Sequence, residues 1–63
     1  MQRLLRLPKV IERTALGRST IYDLMEKGVF PRPIKITGAR QNAWVADEID
    51  AYIEARIAER EAA

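Results

Sequence analysis

The segment Phe30-Pro31-Arg32-Pro33 divides this chain into two parts with different backbone preferences. A residue that precedes proline is driven out of the α-helical region toward extended backbone, and this segment contains two such residues. The residues that follow, Ile34-Lys35-Ile36, alternate apolar and polar side chains as a half-buried strand does. Helix is therefore excluded at this segment, and a strand is predicted to start at Ile34.

Two helices are predicted before this break. Leu7-Pro8 opens the first, because proline in the first turn loses no hydrogen bond. Arg18 begins the second, and Gly28 is expected to end it as a left-handed cap. The apolar side chains of this second helix share one face: Ile21, Leu24 and Met25. A turn of about three residues that contains Gly17 separates the two helices, which is the layout of a helix-turn-helix.

A β-hairpin and a third helix are predicted after the break. The hairpin covers residues 34 to 45, with a turn at residues 37–39 and Trp44 in the returning strand. The acidic residues Asp47, Glu48 and Asp50 fit the first turn of a helix, where carboxylates favour the positive dipole end. The apolar stripe of this helix is predicted at Ile49, Tyr52, Ile53 and Ile57.

The predicted fold is mainly α with a small β-hairpin, in the order helix, helix, two-stranded wing, helix, which is a winged helix-turn-helix. The 63 residues are predicted to form one domain, with residues 1–4 and 60–63 frayed. The aromatic side chains Phe30, Trp44 and Tyr52 have apolar neighbours, so core packing is preferred for them over a platform that stacks bases.

The chain contains no cysteine and no histidine. Disulfides, zinc fingers and Cys or His catalysis are therefore excluded, and no metal site, cofactor or catalytic residue is predicted. The acidic residues at 47–50 are better explained as a helix start than as a catalytic group, so the chain is predicted not to be an enzyme. No apolar run approaches the roughly 20 residues that span a bilayer, which predicts a cytoplasmic protein without a membrane partner.

The small net charge of +2 hides an asymmetry along the sequence. Residues 1–45 carry nine basic and three acidic side chains, whereas residues 46–63 carry two basic and six acidic ones. A polyanion would therefore approach the first three quarters of the chain.

The chain resembles the AlpA-type prophage regulators of the MerR-like winged-helix group, which are related to phage excisionases. The resemblance is carried by Leu5-Arg6-Leu7, by Arg18 to Tyr22, by Gly28 to Ile36, and by Trp44 followed by Glu48 to Ile53. Two residues depart from the family pattern. Gly17 stands where a serine N-cap is usual, and Ala15 where glycine is common, each at a cost of up to about 1 kcal/mol.

The resemblance implies that helix 18–27 enters the major groove of double-stranded DNA and that the wing 34–45 lies on the adjacent groove or backbone. The candidate contacts are Arg18, Ser19, Thr20 and Tyr22 on the helix, Lys35, Arg40, Gln41 and Asn42 on the wing, and Arg32 in the proline segment. The orientation of Thr20 and the roles of Asp23 and Glu26 stay open, with an Asp23–Lys27 ion pair as one alternative. The basic residues nearer the start, Arg3, Arg6, Lys9 and Arg13, are interpreted as general surface charge rather than contacts, although Arg6 and Lys9 lie near the start of the first helix, which crosses the DNA backbone in this architecture.

The predicted function is a sequence-specific double-stranded DNA-binding regulator of the phage or prophage type, acting at the nucleoid. An alternative is an excisionase that acts at an attachment site. An alternative of another class is a small adaptor that binds a protein through Ile53 and Ile57 of the last helix. The partners left open are an integrase, RNA polymerase and further copies of the chain. The further copies would bind side by side or pair through the last helix.

Overall fold

The computed structural model describes residues 3–36 and 41–62. Its elements are β1 (Leu4–Leu5), α1 (Leu7–Thr14), α2 (Arg18–Glu26), β2 (Ile34–Lys35), β3 (Asn42–Val45) and α3 (Ala46–Ala62). Three helices and a small antiparallel sheet confirm the predicted fold class. The predicted turn at residues 37–39 and the candidate contact Arg40 lie outside the described residues, as do residues 1, 2 and 63 of the predicted frayed ends.

The turn between α1 and α2 is made by two residues in special positions. Ala15 closes α1 in the left-handed region, at φ 61°, and its N–H donates to the carbonyl oxygen of Ile11 at 2.8 Å. Gly17 is the N-cap of α2, and no side chain caps this helix in the described chain. Both departures from the family pattern therefore fall at positions where the usual residue would stabilise the turn: glycine adopts positive φ without strain, and serine caps the helix through its hydroxyl.

The C-terminal end of α2 has the hydrogen bonds of a Schellman motif. Gly28, at φ 77°, donates its N–H to the carbonyl oxygen of Met25, and Val29 donates to that of Leu24. Glycine is favoured here because a side chain is strained at positive φ. The prediction of a left-handed cap at Gly28 is confirmed, although α2 ends at Glu26 and Lys27 is its C-cap.

The sheet has three strands in the order β1-β3-β2, one more than the predicted hairpin. The added strand is β1, where Leu4 lies opposite Val45 and Leu5 lies opposite Trp44. The other edge is β2, where Lys35 lies opposite Asn42. The expectation that Ile34 and Ile36 form the buried face of this strand is wrong, because both are exposed, at 46% each.

The hydrophobic core lies where the sheet meets the three helices. Its buried members are Leu5, Val10, Ile21, Phe30, Trp44, Ala46 and Ile49. Trp44 is the largest fully buried side chain, and its indole Nε1–H donates to the carbonyl oxygen of Pro31 at 3.0 Å. Phe30 and Tyr52 pack edge to face with ring centroids 4.8 Å apart. These contacts confirm that the three aromatic side chains belong to the core.

The last helix is only partly covered by the rest of the molecule. Ile49 is fully buried and Tyr52 and Ile53 are half-buried, but Ile57 is 37% exposed, so the predicted apolar stripe leaves the core at its C-terminal end. Asp50 has a second role besides its place in the first turns of α3, because its carboxylate accepts a hydrogen bond from Arg13 of α1 at 2.8 Å. The helix continues to Ala62, and fraying of residues 60–63 stays a prediction about its behaviour in solution.

Candidate nucleic-acid interface

The first turn of α2 presents polar side chains to solvent. Ile21 is fully buried and fixes the rotation of the helix, and this leaves the predicted contact residues exposed: Arg18, Ser19, Thr20 and Tyr22. Thr20, whose direction the sequence leaves open, therefore lies on the exposed side. Tyr22 keeps 43% of its surface exposed. The first helical hydrogen bond runs from the N–H of Ile21 to the carbonyl of Gly17, so the preceding amides stay available for an anion.

A polar cleft joins α2 to the wing and to the start of α1. This cleft, of about 250 Å³, is lined by Arg6, Leu7, Pro8, Arg18, Tyr22, Asn42 and Trp44. Three predicted contact residues, Arg18, Tyr22 and Asn42, therefore meet at one place although they are far apart in the sequence. Lys35 lies opposite Asn42 in the sheet and extends the same surface along the wing.

Arg6 joins the candidate contact residues in the structure, although its place in the sequence indicates only surface charge near the start of α1. It is the N-cap of α1 and lines the cleft together with Arg18, so two arginines border one depression. The available signal is its place directly before Leu7-Pro8, where a helix starts. A position in the sequence does not say how far Arg6 lies from α2. Only the packing of α1 on the sheet shows that Arg6 and Arg18 line the same cleft.

The remaining predicted residues differ in how closely they join the cleft. Gln41 is exposed, and its carbonyl accepts a hydrogen bond from Ile36 at 2.9 Å, which holds it at the end of the wing that the structure describes. Arg32 is exposed in the segment before β2 and does not line the cleft. Ser19 and Thr20 share the first turn of α2 with Arg18 but are not among the cleft residues.

The two acids of α2 have ordinary surface roles in this structure. Asp23 forms an ion pair with Lys27 at 3.2 Å, with both side chains about 60% exposed. Such an i, i+4 pair stabilises a helix by about 0.2 to 0.5 kcal/mol. Glu26 is exposed at the end of the helix. The alternative in which Asp23 pairs with Lys27 is therefore the one observed.

The chemistry of the described residues is that of a solvated surface. No polar or charged side chain among residues 3–36 and 41–62 is buried. No group of three or more acidic side chains in those ranges is placed to hold a metal ion. None of the described helices is long and apolar enough to cross a membrane. The residues that the arrangement brings together for a ligand are two arginines, a tyrosine and an asparagine, beside the first amides of α2.

These features define a small winged helix-turn-helix class of protein. Residues 3–57 match the family model described as "Prophage CP4-57 regulatory protein (AlpA)", and the chain belongs to this family.

Two curated proteins are similar to it. The "Uncharacterized protein ORF88" of Enterobacteria phage P4 is 42% identical over 59 residues, which cover 94% of this chain and 66% of the phage protein. The "DNA-binding transcriptional activator AlpA" of Escherichia coli (strain K12) is 35% identical over 60 residues, which cover 86% of this chain and 84% of that protein. The chain thus spans about two thirds of the length of the phage protein. The comparison with solved structures finds no significant match.

Proposed function

We propose that this chain is a sequence-specific double-stranded DNA-binding regulator of the phage or prophage type. The observation that carries the proposal is the cleft in which Arg6, Arg18, Tyr22 and Asn42 meet. Its charge and hydrogen-bonding groups suit phosphates and base edges, and the cleft lies where a recognition helix adjoins a wing. The printed name of the Escherichia coli relative, a DNA-binding transcriptional activator, supports the same proposal.

In the proposed complex, α2 lies in the major groove with its N-terminal turn toward the base edges. Arg18 reads a guanine through O6 and N7, because a planar guanidinium donates two parallel hydrogen bonds to that edge. Ser19 and Thr20 donate to phosphate beside the free amides of the helix, and Tyr22 donates its hydroxyl to the DNA backbone. Arg6 neutralises a phosphate on the other side of the cleft.

The wing is proposed to lie on the adjacent groove or backbone. Lys35 is exposed and neighbours Asn42 across the strands, so both reach one stretch of DNA. Gln41 extends this surface, and Arg32 and the predicted contact Arg40 are each proposed to contact the DNA backbone. No catalysis is part of the proposal. It implies that the protein acts in the cytoplasm at the nucleoid, with several copies side by side because one small domain covers few base pairs.

Selection from a random pool of DNA duplexes tests this function. Bound molecules are sequenced, and the enriched duplex is titrated against a scrambled one. An enriched motif that is bound in preference to the scrambled duplex supports the proposal, whereas absence of both enrichment and binding at low salt rejects it. A motif located at a promoter favours a regulator that acts with RNA polymerase. A motif located at an attachment site favours the alternative of an excisionase that acts with an integrase, which would use the same surface.

A further inference from the structure

A second depression, separate from the cleft, runs along the last helix. This α3 groove has a volume of about 600 Å³, and α3 forms one of its walls. The other wall comes from the end of α1, the turn after it, and the end of α2. The apolar lining residues are Leu16, Leu24, Val29, Tyr52, Ile53 and Ile57. It shares no lining residue with the cleft, so a ligand in one leaves the other accessible.

The floor of the α3 groove exposes large apolar side chains that nothing in the described chain covers. Val29 is 56% exposed and Ile57 is 37% exposed. Val29 is held in place by the Schellman motif, since its N–H donates to the carbonyl of Leu24 and both side chains line the groove. Contiguous exposed apolar residues with a polar rim are typical of protein-binding surfaces. The floor therefore points to a ligand with apolar side chains.

The rim of the α3 groove is basic although the helix beside it is acidic. Arg13, Arg56 and Arg60 line the groove, and none of its ten lining residues is acidic. Arg56 and Arg60 are the only basic residues of α3, and they are four residues apart, so they share one face of the helix. The charge of the rim is therefore complementary to carboxylates.

The arginines of the rim are available to a ligand. Arg13 and Arg56 form exposed ion pairs with Asp50 and Glu59, and such pairs hold their members weakly against a competing carboxylate. Arg60 forms no ion pair with any residue of the part of the chain that the structure describes. The strongest new contact is therefore expected at Arg60.

We propose that the α3 groove binds an amphipathic helix of a protein partner that carries carboxylates beside its apolar side chains. From Tyr52 to Arg60 the wall of the groove is about 12 Å long, which matches about two turns of a bound helix. DNA does not suit the apolar floor. The α3 helix of a second copy suits the groove poorly, because Ile57 is its one large exposed apolar side chain among the described residues. Its other exposed nonpolar residues are the alanines at 51, 55, 58 and 62. The proposal does not depend on DNA binding.

Two synthetic peptides of 16 residues test the proposal on the full chain labelled with ¹⁵N. Both carry leucine at positions i, i+3, i+4 and i+7, but one has glutamate and the other lysine at its polar positions. The glutamate peptide is expected to shift the amide signals of Leu24, Val29, Ile53 and Ile57 in a saturable titration. The lysine peptide is expected to bind at least roughly tenfold more weakly, because like charges meet at the rim.

Variants identify the groups that bind. Arg60→Glu is expected to weaken binding of the glutamate peptide by roughly tenfold. Arg3→Glu is the matched control, since it makes the same charge change at an exposed residue outside the α3 groove and should alter the affinity less than about twofold, given screening at physiological salt. Ile57→Asp is expected to abolish binding while the circular dichroism of the folded protein is kept.

Four outcomes of the peptide titrations and of a self-association measurement would overturn the proposal, and a fifth comes from the duplex titration. They are equal binding of the two peptides, no saturable binding of either peptide, shifts confined to the cleft residues, and self-association of the chain that is lost in Ile57→Asp, which would make a second copy the occupant. Loss of duplex affinity in Ile57→Asp would assign the groove to DNA instead. Failure of DNA binding, with peptide binding kept, would reject the proposed function and leave this inference standing.

Discussion

Trp44 connects the wing to the helices, and replacing it with phenylalanine is expected to destabilise the protein. Its side chain is 1% exposed, packs in the core and donates a hydrogen bond from Nε1 to the carbonyl oxygen of Pro31 at 3.0 Å. Phenylalanine keeps an aromatic ring in the same place. It removes one ring of the indole and the only donor that this side chain has.

The expected loss follows from these two changes. The missing ring leaves a space of about 40 Å³, which at about 24 cal/mol per Å³ costs about 1 kcal/mol. Pro31 loses the donor to its carbonyl oxygen in a half-buried setting, which costs about 1 kcal/mol more. Trp44→Phe should therefore lower the free energy of unfolding by about 2 kcal/mol. For a domain of this size that corresponds to a fall in Tm of about 8 to 16 °C.

Thermal unfolding followed by circular dichroism measures this fall, and Tyr22→Phe is the control. Tyr22 is 43% exposed and lies outside the core, so losing its hydroxyl should change Tm by less than about 2 °C. The same change should weaken DNA binding by about 0.5 to 1.5 kcal/mol if the hydroxyl donates to a phosphate. A Trp44→Phe protein that melts within about 3 °C of the parent would refute the core assignment.

Three further predictions concern the turns and the interface. Gly17→Ser should raise Tm by about 2 to 4 °C, because a serine N-cap stabilises α2 by about 0.5 kcal/mol and the space around this residue is open. Ala15→Gly should stabilise the protein and Gly28→Ala should destabilise it, each by about 0.5 to 1 kcal/mol, because both residues have positive φ. Thermal melts measure both changes, and effects of the opposite sign would contradict the backbone geometry. Arg18→Ala should relax sequence preference at one base pair by about 1 to 3 kcal/mol, whereas Lys35→Ala should weaken binding to all duplexes alike. Competition titrations with single-base variants of the selected duplex distinguish these two results.

Local signals in the sequence predict the three helices, the starts of α1 and α2, and the left-handed cap after α2. Pro8 starts α1, Gly17 precedes α2, and Gly28 ends it, because each of these residues acts through its own backbone preference. The break at residues 30–33 also separates helix from strand as predicted. The sequence also predicts Trp44 in the core, because a domain of this size has few large side chains to fill it, and the structure buries this residue.

Features that depend on distant partners were not predictable in the same way. The strand β1 has two residues and no periodicity, and it exists because Leu4 and Leu5 pair with β3, some 40 residues later. Ile34 and Ile36 alternate like core residues, yet both are exposed because no element among residues 3–36 and 41–62 covers them. Arg6 and Arg18 line one cleft only because the fold brings the first residues of α2, the residue before α1 and strand β3 to the same place.

The salt dependence of DNA affinity, measured with the selected duplex for the parent protein and for Arg6→Ala, tests the central claim that the cleft binds DNA. If each guanidinium group neutralises one phosphate, removing Arg6 should make the slope of log affinity against log salt about 0.9 less steep. The expected result is a steep dependence in the parent protein, a smaller one in the variant, and unchanged thermal stability. A parent protein that does not bind the duplex at low salt, or a slope that Arg6→Ala leaves unchanged, would contradict this account of the cleft.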